Sequence, residues 1–129
     1  MTSTVVVDAN VILRYLLADH EEHSEYARQV FTRLRTGEQH GFIPEGVLVE
    51  CVYVLLKVYA VPRREIAEKL SGLLAYRGML ADHKQLLLES LRLFHEKNID
   101  IVDAIVHFIA EQRGWVVCSF DRDLQRLRS

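Results

Sequence analysis

Acidic side chains that lack an evident structural role recur along this 129-residue sequence: Asp8, Glu50, Asp103, Asp121 and Asp123. Asp8 directly follows Val5-Val6-Val7, a β-branched run typical of a central strand in a parallel sheet. Open α/β sheets bind ligands at the carboxyl ends of their strands, so Asp8 is predicted to be a site residue. The alternative is an Asp that bonds only to neighbouring backbone amides.

Glu50 is the single acid within the apolar helix predicted over Val47–Ala60. A helix that is apolar on most sides is buried, so we expect Glu50 to be buried or at the floor of a cleft. A buried carboxylate needs a cation or becomes protonated. The alternative is a solvent-facing stripe that Glu50 shares with Lys57.

The remaining acids lie near the carboxyl half of the chain. Asp121 and Asp123 follow Trp115–Ser119, the predicted last strand, and the tips of that strand and the first would converge if the two were neighbours. Asp103 lies in the first turn of a helix predicted over Ile101–Arg113, where a carboxylate also favours the helix dipole. Of the nearby polar residues, Asn10 is predicted to cap the first helix. Ser119 is predicted to bond either a site group or the backbone.

Several carboxylates in one cleft repel each other unless divalent cations enter. Oxygen ligands without His or Cys favour Mg²⁺ or Mn²⁺ over zinc, and the six histidines form no i, i+4 pair with one another. Two such ions ~4 Å apart can activate water and stabilise the leaving oxygen in phosphodiester cleavage. The acids therefore predict a metal-dependent phosphodiester hydrolase.

The elements that must position these acids alternate between strand and helix. This order predicts an α/β fold, a three-layer α/β/α sandwich with a four- to five-stranded parallel sheet, as one domain over residues 1–129. A formal net charge of −2 argues against a generally basic nucleic-acid-coating protein. Two cysteines in apolar runs, Cys51 and Cys118, indicate no disulfide scaffold. With no predicted signal peptide or membrane span, we expect a cytoplasmic protein.

Four pieces of the sequence together resemble the PIN-domain family, in particular the toxin ribonucleases of the VapC type. They are Val7–Leu16, Pro44 followed by Glu50, Val102-Asp103-Ala104 and Cys118–Asp123. The resemblance implies a metal-dependent endoribonuclease with catalytic and metal-binding acids at Asp8, Glu50, Asp103 and Asp121, with Asp123 auxiliary. It also implies Mg²⁺ or Mn²⁺ as cofactor, an RNA substrate, a homodimer and a cognate antitoxin protein.

The sequence departs from the family pattern in two places. Ala9 stands where a hydroxyl residue is common, and little chain follows Asp123 to form a final edge strand. The apolar residues Val52, Tyr53 and Leu56, together with Ile66 and Leu70, are predicted to form a two-fold dimer contact.

Other functions remain as alternatives. A haloacid-dehalogenase-like phosphatase needs a second Asp where Asn10 stands, and a response-regulator receiver needs an acidic pair after its first strand. A catalytically inactive PIN-like scaffold or partner-binding module is the non-enzymatic alternative.

Overall fold

A short parallel ladder joins β1 (Thr4–Val6) to β2 (His40–Phe42), with Thr4 opposite His40 and Val6 opposite Phe42. The computed structural model of the chain describes residues 3–17 and 21–127, without the side chains of residues 21–23, 123 and 126. The ladder continues past β1, because the Val7 amide donates to the Phe42 carbonyl oxygen at 2.9 Å. Met79 adds a parallel bridge to Gly41 on the other side of β2. A single bridge thus extends the parallel pairing to Met79.

Helices make up most of the described chain. They are α1 (Ala9–Leu17), α2 (Glu21–Thr36), α3 (Glu45–Tyr53), α4 (Arg63–Leu74), α5 (Lys84–Glu96), α6 (Ile101–Arg113) and α7 (Arg122–Leu127). α3 continues into a π-helical turn at Val54–Val58. No helix in the described ranges is both long enough and apolar enough to span a bilayer.

The core joins the helices to the short ladder. Val7 and Ile43, next to the two strands, are buried in the same cluster as Ile12 of α1, Leu48 of α3 and Ile105 of α6. α3 packs against both α1 and α6. This central position of α3 places Glu50, its one acid after the first turn, between the elements that carry Asp8 and Asp103.

The start and end of α6 agree with the sequence prediction. The Asp100 carboxylate accepts a hydrogen bond from the Val102 amide at 2.9 Å, which caps the helix. Gly114 ends it with a φ of 67°, a left-handed conformation that glycine adopts without steric cost.

The strand predicted over Trp115–Ser119 is wrong for the structure described, because residues 115–121 are neither strand nor helix. After the Gly114 turn, the Trp115 amide donates to the Ala110 oxygen at 2.9 Å, which returns the chain onto α6. The segment borders a cavity of about 340 Å³ between α6 and α7, lined by His107, Ala110, Glu111, Trp115, Val116, Val117 and Leu127. An apolar run alone does not distinguish a strand from a largely exposed segment, and here Trp115 and Val116 are 61% and 78% exposed.

The predicted dimer contact is also wrong in most of its residues. Val52, Ile66 and Leu70 are each at most 1% exposed and belong to the core of the single chain. Tyr53 and Leu56 are partly buried. These apolar positions are used by the fold itself and do not form a free surface.

Candidate acidic site

Asp8 lies at the carboxyl end of the first strand, as predicted. Its side chain is exposed, although Val7 before it and Ala9 after it are buried. The backbone oxygen of Asp8 accepts a hydrogen bond from the Ile12 amide at 3.3 Å and so starts the ladder of α1. The main chain of Asp8 is therefore fixed by the strand-to-helix turn, while the carboxylate is open to solvent.

Glu50 is exposed, and the prediction that it is buried is wrong. The residues of α3 that are fully buried are Leu48, Cys51 and Val52. At about 100° per residue, Glu50 falls on the opposite side of the helix from these three. The Glu50 carboxylate is therefore open to solvent, where a cation can reach it.

The thiol of Cys51 lies near both Asp8 and Glu50. Its sulfur lies 4.0 Å from the backbone oxygen of Ala9. Burial first, and then the negative charges of Glu50 and Asp8, together raise the pKa of this thiol from 9.0 to about 12. Two carboxylates from separate elements therefore act on one buried group.

Asp103 lies in the first turn of α6 and is partly buried. Its neighbour on α3 is Tyr53, whose hydroxyl donates to both carboxylate oxygens of Asp100, at 2.9 and 3.1 Å. Burial, this hydrogen bond, and the charges of Asp100 and Asp103 raise the pKa of Tyr53 to about 12. The contact brings the first turn of α6 beside the helix that carries Glu50.

Asp121 has a local structural role. Its amide donates to the Ser119 hydroxyl at 2.9 Å, and its carboxylate accepts from the Leu124 amide at 3.3 Å, at the start of α7. The predicted auxiliary acid Asp123 lies outside the described side chains. The hydrogen bonds described for Asp121 do not connect it to the strand end of Asp8.

Asn10 does not precede the first helix as predicted, because α1 already begins at Ala9. Asn10 therefore lies in the first turn of the helix, where it is exposed. It borders a cavity of about 290 Å³ together with Val11, Arg14 and Tyr26.

The donor set fits a hard divalent cation in its chemistry, since Asp8, Glu50 and Asp103 offer carboxylate oxygens. Within the described part of the chain, no three His, Cys, Asp or Glu side chains lie close enough together to hold a metal ion. In the described residues, Asp8 and Glu50 lie near Cys51, and Asp103 lies near Tyr53. These acids do not form one closed ligand set.

A family model of the PIN domain matches residues 5–129. The chain belongs to the PIN-domain family. A curated protein described as "VapC ribonuclease", from Aquifex aeolicus (strain VF5), is 28% identical over 123 residues, which are 95% of this chain and 90% of that protein. The resemblance found in the sequence is confirmed.

Two residues of this PIN domain contact the start of α6, and the sequence did not predict this role for either of them. Tyr53 follows Glu50 by three positions, a spacing that places both on adjacent parts of the helix surface. Arg63 donates from α4 to the carbonyl oxygens of Phe94 and Ile99 at 2.9 and 3.2 Å. Spacing along α3 could have suggested Tyr53, whereas nothing in the sequence pairs Arg63 with Ile99.

Proposed function

We propose that this protein is a metal-dependent endoribonuclease that cleaves single-stranded or loop RNA, as the toxin of a toxin–antitoxin pair. The observation that carries the proposal is the contact of Cys51, next to Glu50 on α3, with Ala9, next to Asp8 at the end of β1, in a chain of the PIN-domain family. The description of the Aquifex aeolicus relative as a ribonuclease supports the same reaction class.

In this proposal Asp8 is the central ligand, because it stands at the end of β1 on a rigid turn. Glu50 and Asp103 complete or orient the ligand set, and Asp121 with Asp123 holds a second ion or its water. Asn10 and Ser119 supply auxiliary hydrogen bonds. When bound, Mg²⁺ or Mn²⁺ supplies positive charge that polarises the scissile phosphate and lowers the pKa of water.

The protein's own residues contribute charge and position. The carboxylates of Asp8 and Glu50 concentrate negative charge at one edge, where an RNA phosphate would be repelled without a cation. Such an edge binds RNA only together with its metal, which explains how a chain with a net charge of −2 can act on a polyanion.

We propose for the whole chain, residues 1–129, one domain with a three-layer α/β/α sandwich built around a parallel sheet. The ladder of β1 and β2 and the bridge at Met79 support the parallel arrangement. Parallel sheets are usually covered by helices on both faces, which agrees with the helix content of the described chain.

The proposed partners are RNA, a cognate antitoxin and a second copy of the chain, in the cytoplasm. An antitoxin segment with a basic side chain would match the exposed carboxylates of Asp8 and Glu50. For the homodimer, Val58 and Tyr59 at the end of the π-helical turn are 71% and 45% exposed and could provide apolar contact.

The test is cleavage of an end-labelled structured RNA with Mn²⁺ or Mg²⁺, compared with EDTA. Asp8→Asn and Glu50→Gln keep the shape of each side chain and remove its charge, so cleavage should fall at least about 100-fold. Glu38→Gln is the matched control, since Glu38 is exposed and lies before the amino end of β2, at the opposite edge of the sheet. It should cleave like the unmodified protein.

Two results would contradict the proposal. Equal cleavage by the unmodified protein and Asp8→Asn would assign the activity to a contaminant or another site. Metal uptake without cleavage of any RNA would instead support the partner-binding scaffold.

A further inference from the structure

One hydroxyl group connects the two helices that carry Glu50 and Asp103. The hydroxyl of Tyr53, on α3, donates to both oxygens of the Asp100 carboxylate at 2.9 and 3.1 Å. Asp100 uses one of the same oxygens to cap α6 through the Val102 amide, at 2.9 Å. The residue that starts α6 is therefore bonded to α3.

The spacing within each helix relates this bond to the acids. Tyr53 is three residues after Glu50, and Asp103 is three residues after Asp100. Residues three apart on a helix are surface neighbours. The hydrogen bond between Tyr53 and Asp100 therefore lies next to Glu50 on one helix and next to Asp103 on the other.

A second contact, made by α4, holds the same end of α6. Arg63 of α4 donates to the carbonyl oxygens of Phe94 and Ile99, and its guanidinium lies 4.3 Å from the centre of the Phe94 ring. Asn98, in the connection to Asp100, has a φ of 56°, a conformation that is uncommon for a residue other than glycine. The contacts of Arg63 fix the segment that leads into α6. The hydrogen bond of Tyr53 fixes the orientation of α6 relative to α3.

We propose that Tyr53 is a positioning residue, which sets the separation between Glu50 and Asp103 through its hydrogen bond to Asp100. This inference rests on the proposed function. Because the pKa of Tyr53 is about 12, its hydroxyl stays protonated and remains a donor at neutral pH. Its hydroxyl bonds Asp100, so its effect on the acids is transmitted through the first turn of α6.

The experiment measures Mn²⁺ affinity of the full chain, by the loss of the free-ion electron paramagnetic resonance signal on titration. Tyr53→Phe should weaken Mn²⁺ binding about 10-fold, the low end of what loss of a residue that orients a ligand costs. Hydrogen exchange at the amides of residues 102–104 should accelerate in the same variant. Its melting temperature without added metal should stay within about 3 °C of the unmodified protein, since a partly exposed hydrogen bond is worth about 1 kcal/mol.

Tyr76→Phe is the matched control. Tyr76 is also partly buried, and its hydroxyl shares a 2.9 Å hydrogen bond with Tyr15 instead of a residue at the start of α6. Asp100→Asn retains an oxygen that can cap the helix and accept from Tyr53, so it should bind Mn²⁺ better than Asp100→Ala. A purely structural role would make the two phenylalanine variants alike in Mn²⁺ affinity.

The outcomes separate this inference from the function on which it rests. Unchanged Mn²⁺ affinity in Tyr53→Phe, or an equal loss in Tyr76→Phe, overturns the positioning role and leaves the nuclease proposal intact. Absence of Mn²⁺ uptake by the unmodified protein overturns both. If Tyr53→Phe does not fold, the comparison of Asp100→Asn with Asp100→Ala decides: equal affinity in these two variants contradicts the inference.

Discussion

The sulfur of Cys51 lies 4.0 Å from the backbone oxygen of Ala9, and this contact sets where α3 meets the end of β1. Each residue of the pair directly follows an acid, Glu50 in one case and Asp8 in the other. The buried contact therefore fixes two exposed carboxylates relative to each other, although neither carboxylate is itself buried.

The two cysteines should differ sharply in reactivity. Cys51 is buried with a pKa of about 12, whereas Cys118 is exposed. Because the thiolate is the reactive form, native protein should react with one equivalent of a thiol reagent at pH 8 and with two after unfolding in urea. Cys118→Ser should remove the native reaction. Rapid labelling of Cys51 in that variant would contradict the burial described for α3.

Stability should fall as the pH rises from about 9 to about 12. The unfolded chain ionises Cys51 near its ordinary pKa of 9.0, while the folded chain keeps it protonated until about 12. The unfolded state therefore loses the proton first, and the stabilisation that is complete below pH 9 is lost across this window. Tyr53 and Tyr76, whose pKa values are both raised to about 12, act in the same direction. Urea midpoints measured from pH 8 to 11 should decline less steeply in Cys51→Ala, and identical slopes would count against the Cys51 contribution.

Mn²⁺ should raise the melting temperature of the protein. A ligand that binds only the folded chain, at 100 times its dissociation constant, adds about 2.7 kcal/mol, which corresponds to about 8 °C for a domain of this size. Differential scanning fluorimetry with and without Mn²⁺ measures this shift. Asp8→Asn should abolish most of it, while Glu38→Gln should retain it. A melting curve that does not respond to millimolar Mn²⁺ would argue against a shared carboxylate site.

Arg63→Ala should destabilise the fold by about 2 to 3 kcal/mol, the contribution of hydrogen bonds from a charged donor. The guanidinium bonds two backbone oxygens and stacks on Phe94, so lysine should not replace it fully. Arg64→Ala is the neighbouring control: Arg64 forms an exposed 3.1 Å ion pair with Glu68, and its loss should cost less than about 0.5 kcal/mol. Urea denaturation measures both, and equal costs would remove the assigned role of Arg63.

Gly78 and Gly72 should respond in opposite directions to alanine. A Cβ at Gly78 would lie 2.0 Å from the Gln39 oxygen and 2.8 Å from the Leu34 oxygen, both backbone atoms that cannot move freely. Gly78→Ala should therefore cost about 3 kcal/mol or more. At Gly72, inside α4, no atom lies within 4 Å of the new carbon, and alanine should stabilise the protein by about 0.5 to 1 kcal/mol. Thermal melts of the two alanine variants test how closely the residues around Met79 lie against β2.

Local signals predicted the parts of the fold that depend on neighbours in sequence. The predicted bounds Ile101–Arg113 match α6, whose start and end the structure shows to be set by nearby residues, the Asp100 cap and the Gly114 turn. Asp8 at the end of β1 follows from the β-branched run before it. Trp115–Ser119 shows where such signals fail, because the same apolar run suits a buried strand and the largely exposed segment that follows α6.

The burial of Glu50 was mispredicted for a different reason. An apolar count along α3 suggests a fully buried helix, but the angular positions of Leu48, Cys51 and Val52 leave Glu50 on the outer side. The bond between Tyr53 and Asp100 depends on how α3 and α6 pack, which no local pattern encodes. The sequence alone therefore could not select Tyr53 and Asp100 as the pair that joins α3 to α6.

The order in which contacts form during folding follows from how the helices are connected. α4, α5 and α6 each pack on the next helix along the chain, whereas the Tyr53–Asp100 bond closes a segment of 47 residues. Short loops close early because they cost less entropy. We therefore expect the contacts between consecutive helices to form before the hydrogen bond between Tyr53 and Asp100. Asp103 would then reach its place beside α3 late in folding, after α5 and α6 have packed together.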